Sequence, residues 1–377
     1  MYVLSTVLFT EMWCLVLLFL VASSILHTDG QKMKFVSRLD IPLDKDIRGV
    51  DILPVRTDRV SSSILIGYKN GGLIVWHDGN LQEIYSPTDN LLDYELDPSC
   101  VFHGGTCSIF AYIQTGDIEY DGDSIRSVSS NVTREIRQLL LEYDDDGFIL
   151  SDMGTIIQIE VDPYLMNRGG VISIDRESKY IYFDNGSELL RIAFPGTYYG
   201  DSPVPRENPH GSIIYAMGFN NLQSCYHDKI LNKLLCIDRG TTLGDSVFMI
   251  FPKGHYGSPS YEGNVCLKND GNCYNPKYYE IPMAFHNGPG KIVSGRVYRG
   301  ASLQRDHMNK FMILADNMIY HTKTNLIRNK IARFSPVSTY NWSPSTLDMK
   351  FSFSDASGNF YVIANNSTLT GIFLFYS

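Results

Sequence analysis

Short apolar segments separated by turn residues recur along almost the whole chain, and this pattern limits its fold more than any other feature. Two hairpin turns show it clearly, because His77-Asp78-Gly79-Asn80 and Asn185-Gly186 each lie between two apolar runs. Asp-Gly and Asn-Gly supply the positive φ angles of tight hairpins. About twenty such segments, with turn signals roughly every ten residues, are typical of an all-β sandwich, barrel or propeller.

Helical periodicity of useful length is almost absent. The segment from Arg134 to Tyr143 is the one place where helix formers (Leu, Arg, Gln and Glu) compete, and we predict a strand there as well. No low-complexity linker or Pro-rich stretch divides residues 30–377, so we predict one closed domain. This length favours a propeller among the three architectures, although no exact repeat counts the blades.

Composition excludes some functions. The chain has 377 residues, of which 44% are hydrophobic and 19% charged, so it is long and apolar enough to bury a large core. Its formal net charge is -9, and it lacks the clustered Lys and Arg that neutralise phosphates. A nucleic-acid partner is therefore not expected.

The N-terminus predicts export. An apolar run from Met12 to Leu26 is shorter than the roughly 20 residues that span a bilayer, and small residues at 22–24 suit a signal peptidase. We predict a signal peptide at residues 1–29 and a secreted mature protein. Glu11 stands where a basic residue is expected, so an uncleaved membrane anchor remains an alternative.

Cysteine spacing agrees with an oxidising compartment. Apart from Cys14, which lies in the predicted signal, the cysteines form three close pairs. We predict three local disulfides, although fifteen pairings are possible in principle. A zinc site is the weaker alternative, because no Cys-x-x-Cys spacing occurs. The predicted pairs are Cys100–Cys107, Cys225–Cys236 and Cys266–Cys273, and the candidate glycosylation sequons are at Asn131, Asn185, Asn341, Asn365 and Asn366.

The segment from Ile213 to Gly240, IIYAMGFNNLQSCYHDKILNKLLCIDRG, resembles the signature of soluble quinoprotein sugar dehydrogenases (the glucose/sorbosone dehydrogenase family) and Hedgehog-interacting proteins. The paired Cys225 and Cys236 are closer to the Hedgehog-interacting branch. The resemblance implies a six-bladed β-propeller of four-stranded antiparallel blades over residues 30–377. Further blocks in family order are residues 167–170, 180–183, 190–192 and 203–210 upstream, and 253–259, 294–300 and 311–316 downstream.

The positions that match the family's catalytic residues are substituted. The family's general-base His corresponds to Asn167, and its Arg-Asn pair, which faces pyrroloquinoline quinone, corresponds to Asn220-Asn221, where the Asn is retained and the Arg is lost. A carboxamide cannot take a proton near neutral pH, and a lost general base costs roughly two to four orders of magnitude in rate. The quinone carries three carboxylates and needs cationic partners. We therefore expect neither catalytic residues nor a cofactor.

The resemblance also implies a calcium loop. Asp238 and Asp245 are retained there, but few other hard oxygen ligands accompany them, so no metal site is expected. The acids of residues 117–123 resemble the start of an EF-hand loop. Val128 replaces the bidentate Glu of that motif, which favours a solvated hairpin tip.

The acidic loop by which Hedgehog-interacting protein reaches its ligand is missing, because only Asp184 and Glu188 remain as acids in that region. The sequence therefore predicts a secreted, glycosylated, catalytically inactive propeller that binds an extracellular protein or carbohydrate partner through its loops. The alternative is a sugar dehydrogenase that oxidises aldoses with pyrroloquinoline quinone and calcium, using displaced residues. A membrane would be involved only if the N-terminal segment were an uncleaved anchor.

Overall fold

The structure is a computed structural model, and a set of separate ranges is described in it. The predicted signal peptide, residues 1–29, lies outside them. The described ranges are 34–41, 47–53, 63–68, 72–77, 80–86, 89–98, 100, 106–116, 118–121, 124–128, 132–144, 147–175, 180–197, 202–263, 265–267, 279–288, 290, 292–300, 308–316, 318–321, 348–354, 360–365 and 370–376.

The described residues are almost entirely β-strand, with two short 3₁₀ turns at Pro163–Leu165 and Pro209–Gly211. No helix among them is long and apolar enough to cross a membrane. The strands are β1 (Lys34–Ile41), β2 (Ile47–Leu53), β3 (Ser63–Tyr68), β4 (Gly72–His77), β5 (Asn80–Tyr85), β6 (Asn90–Leu96), β7 (Thr106–Thr115), β8 (Ile118–Asp121), β9 (Ser124–Val128), β10 (Val132–Asp144), β11 (Gly147–Val161), β12 (Ile172–Asp175), β13 (Tyr180–Asp184) and β14 (Glu188–Ala193). They continue with β15 (Ile214–Met217), β16 (Leu222–Asp228), β17 (Lys233–Asp238), β18 (Gly244–Ile250), β19 (Tyr261–Glu262), β20 (Val265–Cys266), β21 (Ala284–Asn287), β22 (Ile292–Val297), β23 (Phe311–Ala315), β24 (Met318–His321), β25 (Asp348–Ser354), β26 (Phe360–Asn365) and β27 (Thr370–Tyr376).

These strands form antiparallel sheets of the kind found in propeller blades. Five sheets have four strands, in the orders β2-β3-β4-β5, β6-β7-β10-β11, β12-β13-β14-β15, β16-β17-β18-β21 and β1-β27-β26-β25. In the last of these, the first strand pairs with the last one along seven residue pairs, from Lys34↔Tyr376 to Ile41↔Thr370. The all-β prediction and the four-stranded antiparallel blade are thus confirmed.

The predicted count of six four-stranded blades is wrong for the described residues, which form five. A further sheet, β22-β23-β24, has three strands. Strand signals alone could not count the blades, because two hairpins, β8-β9 and β19-β20, use strands without joining a blade. The first hairpin contains Glu119 and Asp121 of the EF-hand-like segment, which agrees with the hairpin interpretation; Asp117 and Asp123 lie outside the described residues.

The chain divides into two compact units. One comprises residues 1–44, 293–325 and 335–377 and contains the β25–β27 strands with β1; the other comprises residues 45–292 and 326–334. The second unit contains the other four blades and the residues of the candidate site. The predicted single domain over residues 30–377 stays a prediction.

In the second unit, buried apolar side chains pack neighbouring blades on one another. The strand at Arg134 to Tyr143 is confirmed as part of β10, which pairs with both β7 and β11. Alternate residues of β10 enter two different cores, since Leu139 packs with the β2–β5 blade and Ile136 with the β12–β15 blade. A third cluster joins the β12–β15 blade to the β16–β21 blade through Tyr182, Tyr215 and Phe248. Neighbouring blades therefore share cores.

Two of the predicted disulfides are confirmed, Cys100–Cys107 and Cys225–Cys236. The second links directly opposed residues of β16 and β17. Cys266 is also disulfide-bonded, and Cys273 lies outside the described residues. Among the sequons, Asn185 lies in the β13–β14 turn and Asn365 ends β26, whereas Asn131, Asn341 and Asn366 lie outside the described ranges.

Candidate functional site

The loop that carries Asn167 is held by one buried arginine. Arg134, on β10, is 1% exposed, and its guanidinium donates to the backbone carbonyls of Met166 (3.0 Å) and Arg168 (2.7 Å) and to the side chain of Gln114 (3.0 Å). It also forms an ion pair with Asp184 at 3.2 Å. A buried charge is tolerated only when it is paired and hydrogen-bonded, and Arg134 meets both conditions.

Asp184 holds the other side of the same loop. Its Oδ2 accepts hydrogen bonds from the N–H groups of Gly170 and Val171, both at 2.7 Å. Gly169 and Gly170 have φ angles of 70° and 93°, and a Cβ on Gly169 would lie 1.6 Å from Asp184 Oδ1. Gly169 of the Gly pair is therefore required by the Asp184 contact, and Gly170 is favoured by its positive φ angle. Because Asp184 is fully buried, it is not available to an external ligand.

The structure places Asn167 at the surface of this loop. Its side chain is exposed and has no hydrogen-bond partner among the described residues. The neighbouring Arg168 is half-buried, and its carbonyl is the acceptor for Arg134. The carboxamide at 167 thus has only a guanidinium beside it, which stays protonated and cannot replace the missing histidine as a base.

The pair Asn220 and Asn221, in which only Asn220 is a substitution, lies at the entrance to β16. The backbone N–H groups of both residues donate to Asp238 Oδ1, at 3.0 and 2.6 Å. The Asn220 side chain donates to the carbonyl of Arg239 at 2.6 Å. Asp238 is therefore an acceptor that fixes the Asn220–Asn221 corner, which gives this acid a structural role.

Burial raises the pKa of Asp238 to about 7, in spite of the N–H donors of Asn221 and Asn220, and the nearby charges of Asp245 and Glu262 raise it further. Its carboxyl group is thus close to half-protonated at neutral pH. A group with such a pKa can exchange protons near neutrality, but Asp238 is 7% exposed and already bonded to two backbone donors.

The structure brings the two substituted positions together. Asn221 Oδ1 accepts a hydrogen bond from the N–H of Gly169 at 2.8 Å, and a second one from Gln223 Nε2 at 2.8 Å. The Asn167 loop and the Asn220–Asn221 corner are therefore neighbours, as the family resemblance implies. The contact between them is made by the Asn221 carboxamide.

Three other resemblance blocks, 180–183, 190–192 and 203–210, also meet in the structure, and they form part of the scaffold. Arg191 lies between the rings of Tyr180 and Tyr215, with its Cζ 4.3 and 4.5 Å from their centroids. Its Nε donates to Asn208 Oδ1 at 2.5 Å, and Asn208 Nδ2 donates back to the Arg191 carbonyl at 2.9 Å. These blocks are therefore retained as packing contacts.

A small pocket opens beside the Asn220–Asn221 corner. Its volume is about 60 Å³, and Asn220, Asp238, Tyr256 and Glu262 are among its lining residues. Tyr256 stacks on Phe219 with ring centroids 4.6 Å apart, and its hydroxyl is engaged with the backbone of Met249 and Phe251. Pockets that hold cofactor-sized ligands measure roughly 300–1,000 Å³.

This pocket does not fit pyrroloquinoline quinone. The described residues that line it include two carboxylates, Asp238 and Glu262, and no Arg, Lys or His. A tricarboxylate placed there would meet like charges without a cation, which is strongly unfavourable. His286, which could have replaced the missing base, lies in β21 opposite Asp245 and is not among the lining residues.

The implied calcium site does not fit either. Asp245 Oδ1 accepts hydrogen bonds from the N–H groups of Gly240 (3.1 Å) and Gly290 (2.8 Å), and its Oδ2 accepts one from Ile292 (2.7 Å). N–H donors around a carboxylate repel a cation. Among the described residues no group of three or more acids, histidines or cysteines is arranged to hold a metal ion.

Comparisons with known proteins support the fold. Comparisons with protein-family models and with curated protein sequences each found no match. Among solved structures, the chain is similar to a glucose dehydrogenase, with a TM-score of 0.63 and 15% identity over 90% of this chain and 98% of that one.

Two aldose sugar dehydrogenases are also similar. The soluble enzyme from Escherichia coli in its apo form has a TM-score of 0.61 and 15% identity over 87% of this chain and 99% of that one. The quinone-bound enzyme from Streptomyces coelicolor has a TM-score of 0.54 and 14% identity over 90% and 98%. The chain therefore has the propeller fold of soluble sugar dehydrogenases, and identities this low establish the fold alone.

Sequence reasoning missed two residues that organise the site, Arg134 and Glu262. Both lie in segments outside the strongest motif blocks, and their partners are backbone atoms far away in sequence. Arg134 gave no distinguishing signal, because Glu135 and Arg137 are charged residues of the same strand. Glu262 gave no distinguishing signal either.

Proposed function

We propose that this chain is a secreted, catalytically inactive β-propeller that binds an extracellular protein or carbohydrate partner through its loops. The main support is the pocket beside Asn220, which is small, acidic and without a cation among its described lining residues. The exposed carboxamide of Asn167 adds to it, because an amide cannot take a proton near neutral pH. The disulfides agree with an extracellular location.

The loop Asp162–Arg168 is well suited to binding a partner. Arg134 and Asp184 hold its backbone, so little conformational entropy would be lost on association. Tyr164 projects from this rigid loop with 91% of its surface exposed. Tyrosine is enriched among the residues that dominate binding energy.

The absence of turnover is tested with purified protein, calcium, pyrroloquinoline quinone, a panel of aldoses and an electron-accepting dye. We expect no dye reduction above the blank without quinone, while the Escherichia coli aldose sugar dehydrogenase serves as the positive control. Asn167→His restores a base and should remain inactive, because the pocket still lacks a cation. Aldose-dependent dye reduction that disappears without quinone would establish the alternative, a quinone-dependent dehydrogenase.

Partner binding is tested on a glycan array and by capture from extracellular fluid. A partner that binds the unchanged protein and Ile230→Ala with similar affinity supports the proposal if its affinity for Tyr164→Ala is at least about tenfold lower. Ile230 is a suitable control, since it is 58% exposed and belongs to the β16–β17 turn. Failure to recover any partner whose binding depends on Tyr164 would contradict it.

A further inference from the structure

The turn Gly240–Gly244 surrounds the carboxylate of Glu262. The N–H groups of Leu243 and Gly244 donate to Glu262 Oε1 at 2.5 and 2.7 Å, and the N–H of Thr242 lies 3.0 and 3.1 Å from the two oxygens. The Thr241 hydroxyl adds a contact at 3.3 Å. One carboxylate thus receives three consecutive backbone donors and a hydroxyl.

Successive backbone N–H groups that converge on one point form a nest, which binds anions. An ionised carboxylate is an acceptor only and satisfies such donors well, whereas a cation would face their positive ends. Burial opposes the ionisation of Glu262, but the donors of Gly244, Thr242 and Leu243 outweigh it and lower the pKa of this carboxyl below its usual value. The turn therefore favours a negative charge.

Two glycines of the turn are explained by close contacts. A Cβ on Gly240 would lie 2.2 Å from Glu262 Oε1 and 2.0 Å from the Gly244 carbonyl. A Cβ on Gly244 would lie 2.0 Å from the His286 carbonyl. The carboxylate contact thus requires a glycine at 240, and the approach of the β21 backbone requires one at 244.

Glu262 belongs to the β19–β20 hairpin, which forms one wall of the pocket. Tyr261, Glu262 and Gly263 line that wall, while Asn220 and Asp238 line another. The hairpin pairs with itself through Tyr261↔Cys266 and Glu262↔Val265 and joins no blade. Its carboxylate contact with the turn therefore ties the hairpin to the β16–β21 blade through hydrogen bonds.

We infer that the turn Thr242–Gly244 is an anion-binding nest whose ligand is the chain's own Glu262, and that this contact latches the β19–β20 hairpin across the pocket. The segment that resembles a calcium loop therefore binds a carboxylate instead of a metal ion. This inference is independent of the proposed function, because it holds whether or not the protein turns over a substrate.

The latch is tested by hydrogen exchange of peptides that cover residues 241–246. Glu262→Gln keeps the size of the side chain but places an amide donor against the nest, so we expect exchange of these amides to accelerate about ten- to a hundredfold. Glu207→Gln, at an exposed position, is the matched control and should change nothing. Unchanged exchange in Glu262→Gln would overturn the latch.

The nest is tested by rescue. In Glu262→Ala the donors are left without a partner, so sodium formate should raise the melting temperature saturably, while sodium chloride at the same ionic strength should not. The unchanged protein should respond to neither salt in this way, because its nest is filled. Absence of a formate-specific response in Glu262→Ala would overturn the anion site.

Calcium provides a test that does not require a variant to fold. The melting temperature of the unchanged protein should be the same in calcium chloride, in magnesium chloride at equal ionic strength and in chelator. A saturable stabilisation by calcium that is absent in Glu262→Gln would show a metal site at this turn and would overturn the inference. None of these measurements depends on dye-reduction activity, so their outcome is separate from that of the turnover test.

Discussion

Asp238 combines a structural role with a pKa near neutrality. It accepts the N–H groups that shape the Asn220–Asn221 corner, while its burial and the neighbouring acids favour the protonated form. Its pKa is about 7 in the folded chain and 3.8 as the unperturbed value. Between these values the folded protein binds a proton that the unfolded chain has lost.

This difference determines the sign of the pH dependence. Because the folded state binds more protons, the free energy of unfolding falls as pH rises from about 4 to about 7. We expect Asp238→Asn, which keeps the accepting oxygen, to flatten this slope in urea titrations at a series of pH values. Glu207→Gln should keep the slope, and an equal slope in Asp238→Asn would contradict the prediction.

Glu262 acts in the opposite direction and in a different window. Its pKa is lowered from 4.5, so its contribution to stability is present above that value and is lost as pH falls through its folded pKa. The contributions of the two carboxyl groups to stability can be separated experimentally. Glu262 changes the free energy of unfolding below about pH 4.5, and Asp238 changes it mainly above that value.

The β10 strand shows how one element positions a functional loop. Its central residues pair with β7 and β11, and Arg134 reaches from it to the 3₁₀ turn and to Asp184. The sequence predicted a strand here, against the helix propensity of its residues, since strand pairing and burial on both faces outweigh intrinsic propensity. The sequence did not indicate which loop the arginine would hold.

Removing one partner of this buried pair leaves a charge without compensation. We expect Arg134→Met to lower the free energy of unfolding by about 3–5 kcal/mol in urea denaturation. Arg137→Met on the same strand is the matched control. Its ion pairs with Glu135 and Asp152 are partly exposed, so the loss should not exceed about 1 kcal/mol. Equal losses in the two variants would refute the role given to Arg134.

Pairing between β1 and β27 links the N-terminal and C-terminal parts of the described chain. The seven residue pairs are the only strand pairing that β1 makes among the described residues. Deleting residues 370–377 would expose edges on both β1 and β26, and unpaired edges promote aggregation. We expect this truncation to lose a cooperative calorimetric transition, whereas deleting residues 1–30 should preserve it. A cooperative transition in the first variant would contradict this reading.

Local chemistry was readable without a structure. Turn dipeptides and alternating apolar residues predicted the strands, and close cysteine spacing predicted two pairs that the structure confirms. These features depend on neighbours along the chain or on the chemistry of one side chain. They can therefore be predicted without knowledge of the fold.

Which strands pair, and which groups hydrogen-bond the buried carboxylates, could be established only from the folded chain. The number of blades depends on which strands hydrogen-bond, and the local pattern is the same for a blade strand and a separate hairpin. Asp238 and Asp245 read as possible metal ligands in sequence, yet folding directs backbone N–H groups at their oxygens. The sign of the charge that a loop accepts is set by the direction of its amides, which arises only when distant segments meet.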